Sequence, residues 1–116
     1  MQSLDKIDWE ILDSTADDCE NLEQIYRQVC YEVIATPEEP GKGFYDYRLA
    51  KPAMLLSEIA ERIRALVQKG LFAIVMDENG NPWNDPEDLS YVWKGWFSMT
   101  PKGRKLWEAS EHLVEQ

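Results

Sequence analysis

The chain has 116 residues, 44% of them hydrophobic and 11% aromatic, with a formal net charge of −10. Those values exclude an intrinsically disordered chain and suit a single domain over 1–116, with its core at about 4–114. No apolar run reaches the roughly 18 residues that a membrane span needs, and the acidic, mixed start Met1-Gln-Ser-Leu-Asp-Lys-Ile-Asp8 is unlike a secretory signal, so a cytoplasmic protein off the membrane is expected.

Leu4, Ile7, Ile11 and Leu12 recur at helical spacing behind Ser3, which predicts a first helix over about 4–14. Asn21 followed by Gln24 has the form of a capping box, with Asn in place of Ser or Thr. The stripe Leu22, Ile25, Tyr26, Val29 and Val33 then predicts a second helix over about 21–34, which Thr36-Pro37 ends. Pro37, Pro40, Gly41 and Gly43 mark 36–51 as an inserted loop that closes on the aromatic run Phe44-Tyr-Asp-Tyr47.

Pro52 suits the first turn of a third helix, where its missing N–H would be unpaired anyway. Leu56, Ile59, Ile63 and Leu66 form that helix's apolar stripe, and Gly70 is the left-handed residue expected just past its end. Leu71 to Met76 is a strand-like run. The loop 77–90 follows, opening with the turn chemistry of Asp77-Glu-Asn-Gly-Asn-Pro82. Tyr91 to Met99 alternates, with Tyr91, Trp93, Phe97 and Met99 on one side and Lys94 and Ser98 on the other, which predicts a second strand. Thr100 and Pro101 then open a last helix, whose buried face falls on Leu106, Trp107, Ser110, Leu113 and Val114. The predicted order is three helices, two strands and a helix, an α+β domain.

Two stretches carry recognisable wording: Leu66-Val-Gln-Lys-Gly-Leu-Phe72 and Met99-Thr-Pro-Lys-Gly-Arg-Lys-Leu106. They resemble the steps out of the recognition helix ("LxxKGLI/V") and out of the wing ("LTxKGRxL") in bacterial regulators of the MarR and PadR type. Trp9-Glu-Ile-Leu-Asp13 resembles the first helix of those proteins, and Asn21-Leu-Glu-Gln-Ile25 the second, so the likeness covers about 7–110. The resemblance implies a small winged-helix domain: three helices, a two-stranded β-wing with its loop at 77–90, and a C-terminal helix. It also implies a homodimeric transcriptional regulator that sets the third helix in the major groove of double-stranded DNA, with the wing on the backbone.

Charge and spacing depart from that pattern. Residues 1–47 carry 12 acids against 3 bases, 48–76 carry 2 against 5, and the loop 77–92 carries 5 acids and no base. Phosphate neutralisation supplies most duplex affinity, so a wing tip with Asp77, Glu78, Asp85, Glu87 and Asp88 repels DNA. About 16 residues separate the second and third helices, where a helix-turn-helix uses about 3–4. Steps of about 100° per residue turn Met54, Ser57, Glu58, Glu61, Arg64 and Gln68 outward on the third helix. Ser57, Glu58, Glu61, Arg64 and Gln68, with Arg48, Lys51 and Lys94 at the edges, are therefore the candidate DNA contacts. Arg62 and Lys69 are two further cations near that face. The bland reading of these residues is a solvated face, with Glu58 and Arg62 as a helix-supporting i,i+4 pair.

Other chemistry finds little support. His112 lies in the tail with no partner nearby in sequence. Asp77, Asn79, Asn81 and Asp85 mimic alternate calcium ligands, but Pro82 stands where an EF-hand needs glycine and Asp88 where it needs glutamate. Pro40-Gly-Lys-Gly43 lacks the phosphate-loop frame, and no nucleophile or metal cluster accompanies the acidic pairs. The expectation is no enzyme, cofactor or metal. Cys19 and Cys30 are expected reduced. Trp9 and Trp107 fall at core positions, whereas Trp83 on the loop and Trp96 on the strand are candidate protein contacts. The resemblance, set against the charge distribution, leaves two functions: a winged-helix DNA-binding regulator, or an acidic winged-helix module that binds protein and not DNA.

Overall fold

The computed structural model describes residues 4–35, 45–49, 54–85, 87, 88 and 90–110, with 31–35 and 45–49 described by their backbone alone. Ser3, the 36–44 part of the inserted loop, Lys51, Pro52, His112, Leu113 and Val114 lie outside the described residues.

The fold is α+β. Helix α1, Lys6–Asp13, starts at Asp5, whose carboxylate accepts from the Asp8 amide at 2.8 Å. It buries Trp9, Ile11 and Leu12. A two-residue strand, β1 (Glu20–Asn21), leads into α2, Leu22–Cys30. The expected capping box is present: the Gln24 amide donates to Asn21 Oδ1 at 2.9 Å, and the Asn21 amide donates back to Gln24 Oε1 at 3.3 Å.

Helix α2 stops four residues earlier than its apolar stripe predicts. Tyr31–Ala35 is strand β2, paired antiparallel with β3, Tyr45–Leu49, in the register Tyr31↔Leu49 to Ala35↔Tyr45. Most of the inserted segment is thus bracketed by a hairpin. The run Tyr-Glu-Val-Ile is rich in β-branched and aromatic residues, and once Tyr45–Leu49 supplies a partner, ladder pairing overrides a weak helical preference.

Helix α3, Leu56–Gln68, starts after Pro52, not at it. Its N-cap residue, Leu55, has no side chain to cap with. The Glu58 carboxylate instead reaches back and accepts the Leu55 amide at 2.9 Å, while the Glu58 amide donates to the Leu55 carbonyl at 3.0 Å. Ile59, Ile63 and Leu66 are buried as expected, but Leu56 is 38% exposed. The helix closes in a Schellman turn: the Leu71 amide reaches the Leu66 carbonyl, and the Gly70 amide reaches that of Val67, with Gly70 at φ 76°.

Strand β4, Phe72–Met76, pairs antiparallel with β5, Trp96–Met99, and β1 pairs with the other edge of β5, giving the order β1-β5-β4. A bulge between Ile74 and Met76 leaves Val75 unpaired and 47% exposed. The alternation that predicts one strand over 91–99 fails at its start, because Tyr91–Lys94 is a single helical turn, α4. Its closing bond, from the Gly95 amide to the Tyr91 carbonyl, is 2.7 Å, and a Cβ at Gly95 would meet that same oxygen. Tyr91 and Val92 point into the core, where Tyr91 meets Phe97 edge-on at 6.4 Å, and Phe97 stacks on Phe72 at 5.7 Å.

Helix α5, Pro101–Ala109, begins at Thr100 with proline in its first turn, as expected. Thr100 Oγ1 accepts from the Gly103 amide at 2.9 Å and donates to the Gly70 carbonyl at 2.7 Å, while its own amide donates to Leu71. The Thr-Pro-Lys-Gly motif therefore ties the start of α5 to the turn that ends α3. Trp107 stacks on Trp9 at 6.0 Å, and the Trp9 indole donates to the Trp107 carbonyl.

Candidate interaction surface

The face around the first half of α3 is built by local capping and by one distant ion pair. Ser57, Glu58 and Glu61 there, and Gln68 at the end of the helix, are exposed as their angular positions predict, whereas Met54 and Arg64 are half-buried. Glu58 is not paired with Arg62, because its carboxylate is engaged by the Leu55 amide. Arg62 turns the other way and bridges Asp5 and Asp8 at the start of α1, the second at 3.3 Å. Arg64 lies 3.6 Å from Glu61, and its Nε is buried without a partner among the described residues. Both arginines of α3 are therefore held by carboxylates.

The ionisation of these groups follows. Burial raises Asp8, and the charge of Asp5 adds to it, against the opposing pull of Arg62. Burial also pushes Asp5 upward, but the Asp8 amide and the Arg62 guanidinium outweigh it and hold Asp5 below the ordinary value. The hydrogen bond to Asp5 raises Arg62, so its charge is secure.

The remaining candidates disperse. Arg48 lies in β3 with its backbone opposite Glu32, and Lys51 is outside the described residues. Lys94 is exposed at the end of α4, within the field of Asp88. Trp83 is half-buried against the core, and its indole donates to the Asp85 carbonyl at 2.7 Å, so the loop folds this ring back on itself. Asp77 accepts the amides of Asn79 and Asn81 at 2.8 and 2.9 Å, so backbone donors hold the apex of the turn. Among the described residues no group of three or more His, Cys, Asp or Glu is placed to hold a metal ion. Cys30 is buried and Cys19 half-buried, both as free thiols. None of the described helices is long and apolar enough to cross a membrane.

What the alternation obscures is Trp93. As a strand residue it would share the side of Tyr91 and Phe97; on the turn of α4 it points away from both and is 55% exposed. Leu55, at 66%, and Leu56 are exposed at the start of α3. Trp93 stands as a ridge between two grooves. The smaller, about 460 Å³, runs along α3 past Ser57, Glu61 and Arg64. The larger, about 730 Å³, lies between α2 and α4 and is walled by Leu22, Tyr26, Leu56, Trp93 and Trp96. Trp96, half-buried, contributes to that wall from a strand paired on both edges.

Comparison with family models, with curated proteins and with solved structures returns no match to this chain.

Proposed function

We propose that this chain is an acidic winged-helix module that binds another protein and leaves duplex DNA alone. Three features support the winged-helix part. A helix ends at a left-handed glycine and feeds β4, an intervening loop returns through β5, and the Thr-Pro-Lys-Gly turn locks the last helix back onto the glycine. The short β1 completes the sheet on its far edge.

One observation carries the choice of partner. Where a recognition helix would meet phosphates, α3 exposes the large apolar Leu55 and Leu56 with Ser57, Glu58, Glu61 and Gln68, and Trp93 of α4 is exposed as well. Both arginines of α3 are tied to acids, and Lys69 just past its end is an exposed cation. Exposed large apolar and aromatic side chains in one patch fit protein contact. The loop 77–90, which follows that helix and β4 in the chain, adds five carboxylates and no cation, whereas a wing on duplex phosphates would need positive charge.

A fluorescence-anisotropy titration of a labelled generic duplex at about 50 mM salt tests this, since phosphate contacts are strongest there. Wild-type protein should give no saturable binding, and Glu61→Lys should begin to bind. Saturable wild-type binding that weakens steeply with added salt would establish the regulator reading instead.

A further inference from the structure

We infer that the larger groove, between α2 and α4, is the docking site for a basic segment of another protein that inserts a bulky apolar side chain beside Trp93. This rests on the protein-binding reading above and specifies its site and the chemistry of its partner.

The groove is preorganised. Tyr26 is fixed by its hydroxyl, which donates to the Met54 carbonyl at 2.8 Å. Trp96 sits on the central strand of the sheet, with Asn21 on one side and Met76 on the other. Trp93 rides a helical turn closed by the Gly95 amide. The backbone that carries these rings is fixed and Tyr26 is held by its hydroxyl, so part of the ordering cost of binding is already met. A volume of about 730 Å³ admits one or two large side chains, and the walls Leu22, Leu56, Trp93 and Trp96 are apolar.

Charge selects the sign of the occupant. Of the cations at the rim, Arg27 is held by Glu23 at 2.9 Å and Lys94 lies in the field of Asp88. Glu78 also lines the groove and has no cation paired with it among the described residues. With Asp88 set against Lys94, its loop still carries Asp77, Asp85 and Glu87 and no base, on a chain of net charge −10. A segment bearing Lys or Arg next to its apolar anchor meets Glu78 and that loop favourably, whereas an acidic peptide or a phosphate backbone does not.

The probes are a labelled amphipathic peptide of leucine and lysine, its leucine–glutamate counterpart, and the generic duplex. Wild-type protein should bind the lysine peptide saturably and ignore the other two. Trp93→Ala should weaken binding roughly tenfold, as loss of an aromatic anchor does. Glu78→Lys should weaken it too, and more at low salt than at high. Val75→Ala, which trims an exposed side chain outside the groove, should change nothing. The inference is overturned if the lysine peptide does not bind, if the glutamate peptide binds equally well, or if Trp93→Ala and Val75→Ala behave alike. It is also overturned if sedimentation shows a wild-type dimer that Trp93→Ala dissolves, because a second copy would then occupy the groove. Duplex binding by wild-type protein would bring down the protein-binding reading as well. Absence of duplex binding with a lysine-peptide affinity indifferent to Trp93 would bring down the groove alone.

Discussion

Gly103 lies against Leu71 so closely that no side chain fits between them. A Cβ at 103 would overlap the Leu71 carbonyl oxygen and stand 2.9 Å from the carbonyl carbon. Backbone, not a flexible side chain, blocks the space, and that same oxygen receives the Thr100 amide. Gly103→Ala should therefore push α5 off the α3–β4 turn and cost about 2 kcal/mol, within the range for overpacking a filled site. Urea unfolding should show a lower midpoint with an unchanged slope. An unchanged midpoint would mean that the Thr-Pro-Lys-Gly contact is not the staple described.

Arg62 holds the start of α1 to the middle of α3. Its guanidinium is about one-third exposed, while the Asp8 side chain is 13% exposed. Arg62→Gln leaves Asp8 buried beside Asp5 without its ion-pair partner, with Lys69 as the remaining cation acting on it. The expected cost at neutral pH is about 1 kcal/mol, reduced from the buried-pair value because solvent screens the Asp5 side of the bridge. Since Asp8 escapes the penalty by taking a proton, the difference between variant and wild type should shrink as pH falls. A constant difference from neutral to acid pH would show that Asp8 is not the group left exposed to the loss.

Wild-type stability should itself rise on mild acidification. Burial raises Asp8, Glu10, Asp13 and Glu20 above the ordinary values of 3.8 for Asp and 4.5 for Glu. In the window just above those values the folded chain holds more protons than the unfolded one, so its stability falls as pH rises through that window. Asp5 and Asp88 are lowered and have the opposite sign; their contribution is present above 3.8 and is lost only as pH drops through their folded values. Thermal melts should thus give a higher Tm near pH about 5 than near about 7.5. Relief of repulsion on a chain of charge −10 works in the same direction. A Tm that falls steadily from neutral pH downward would contradict this balance.

Much of the scaffold was legible in the sequence, and for a common reason. The Asn21–Gln24 box, Gly70, and Thr100 with Pro101 are local devices whose chemistry acts within a turn or two. The hairpin was not, because Val29 and Val33 fit a helix face as well as Val33 fits a strand. Only pairing with Tyr45–Leu49 decides between them. A signal for that pairing was present in Tyr-Asp-Tyr-Arg-Leu, which alternates behind a Pro- and Gly-rich stretch. The larger groove left no motif at all. Its walls come from α2, the start of α3, α4 and β5, and Trp93 joins them only because one helical turn interrupts an alternating run.

Trp93 separates binding from folding. It is 55% exposed, while Tyr91 two residues earlier is 6% exposed and packs on Phe97. Trp93→Ser should therefore stay within about 1 kcal/mol of wild-type stability, whereas Tyr91→Ser should lose about 3 kcal/mol or more. Equal losses in chemical denaturation would place Trp93 in the core and remove it from the interaction surface.

Whether α3 and the 77–90 loop meet a duplex separates the two functions most directly. Amide and indole shifts of isotope-labelled protein, followed while generic duplex DNA is added at about 50 mM salt, report on each residue there. The signals of Ser57, Glu61, Gln68 and Trp93 should stay where they are in the free protein. Saturable shifts concentrated on α3 and that loop would contradict the protein-binding function and make this chain a DNA-binding regulator.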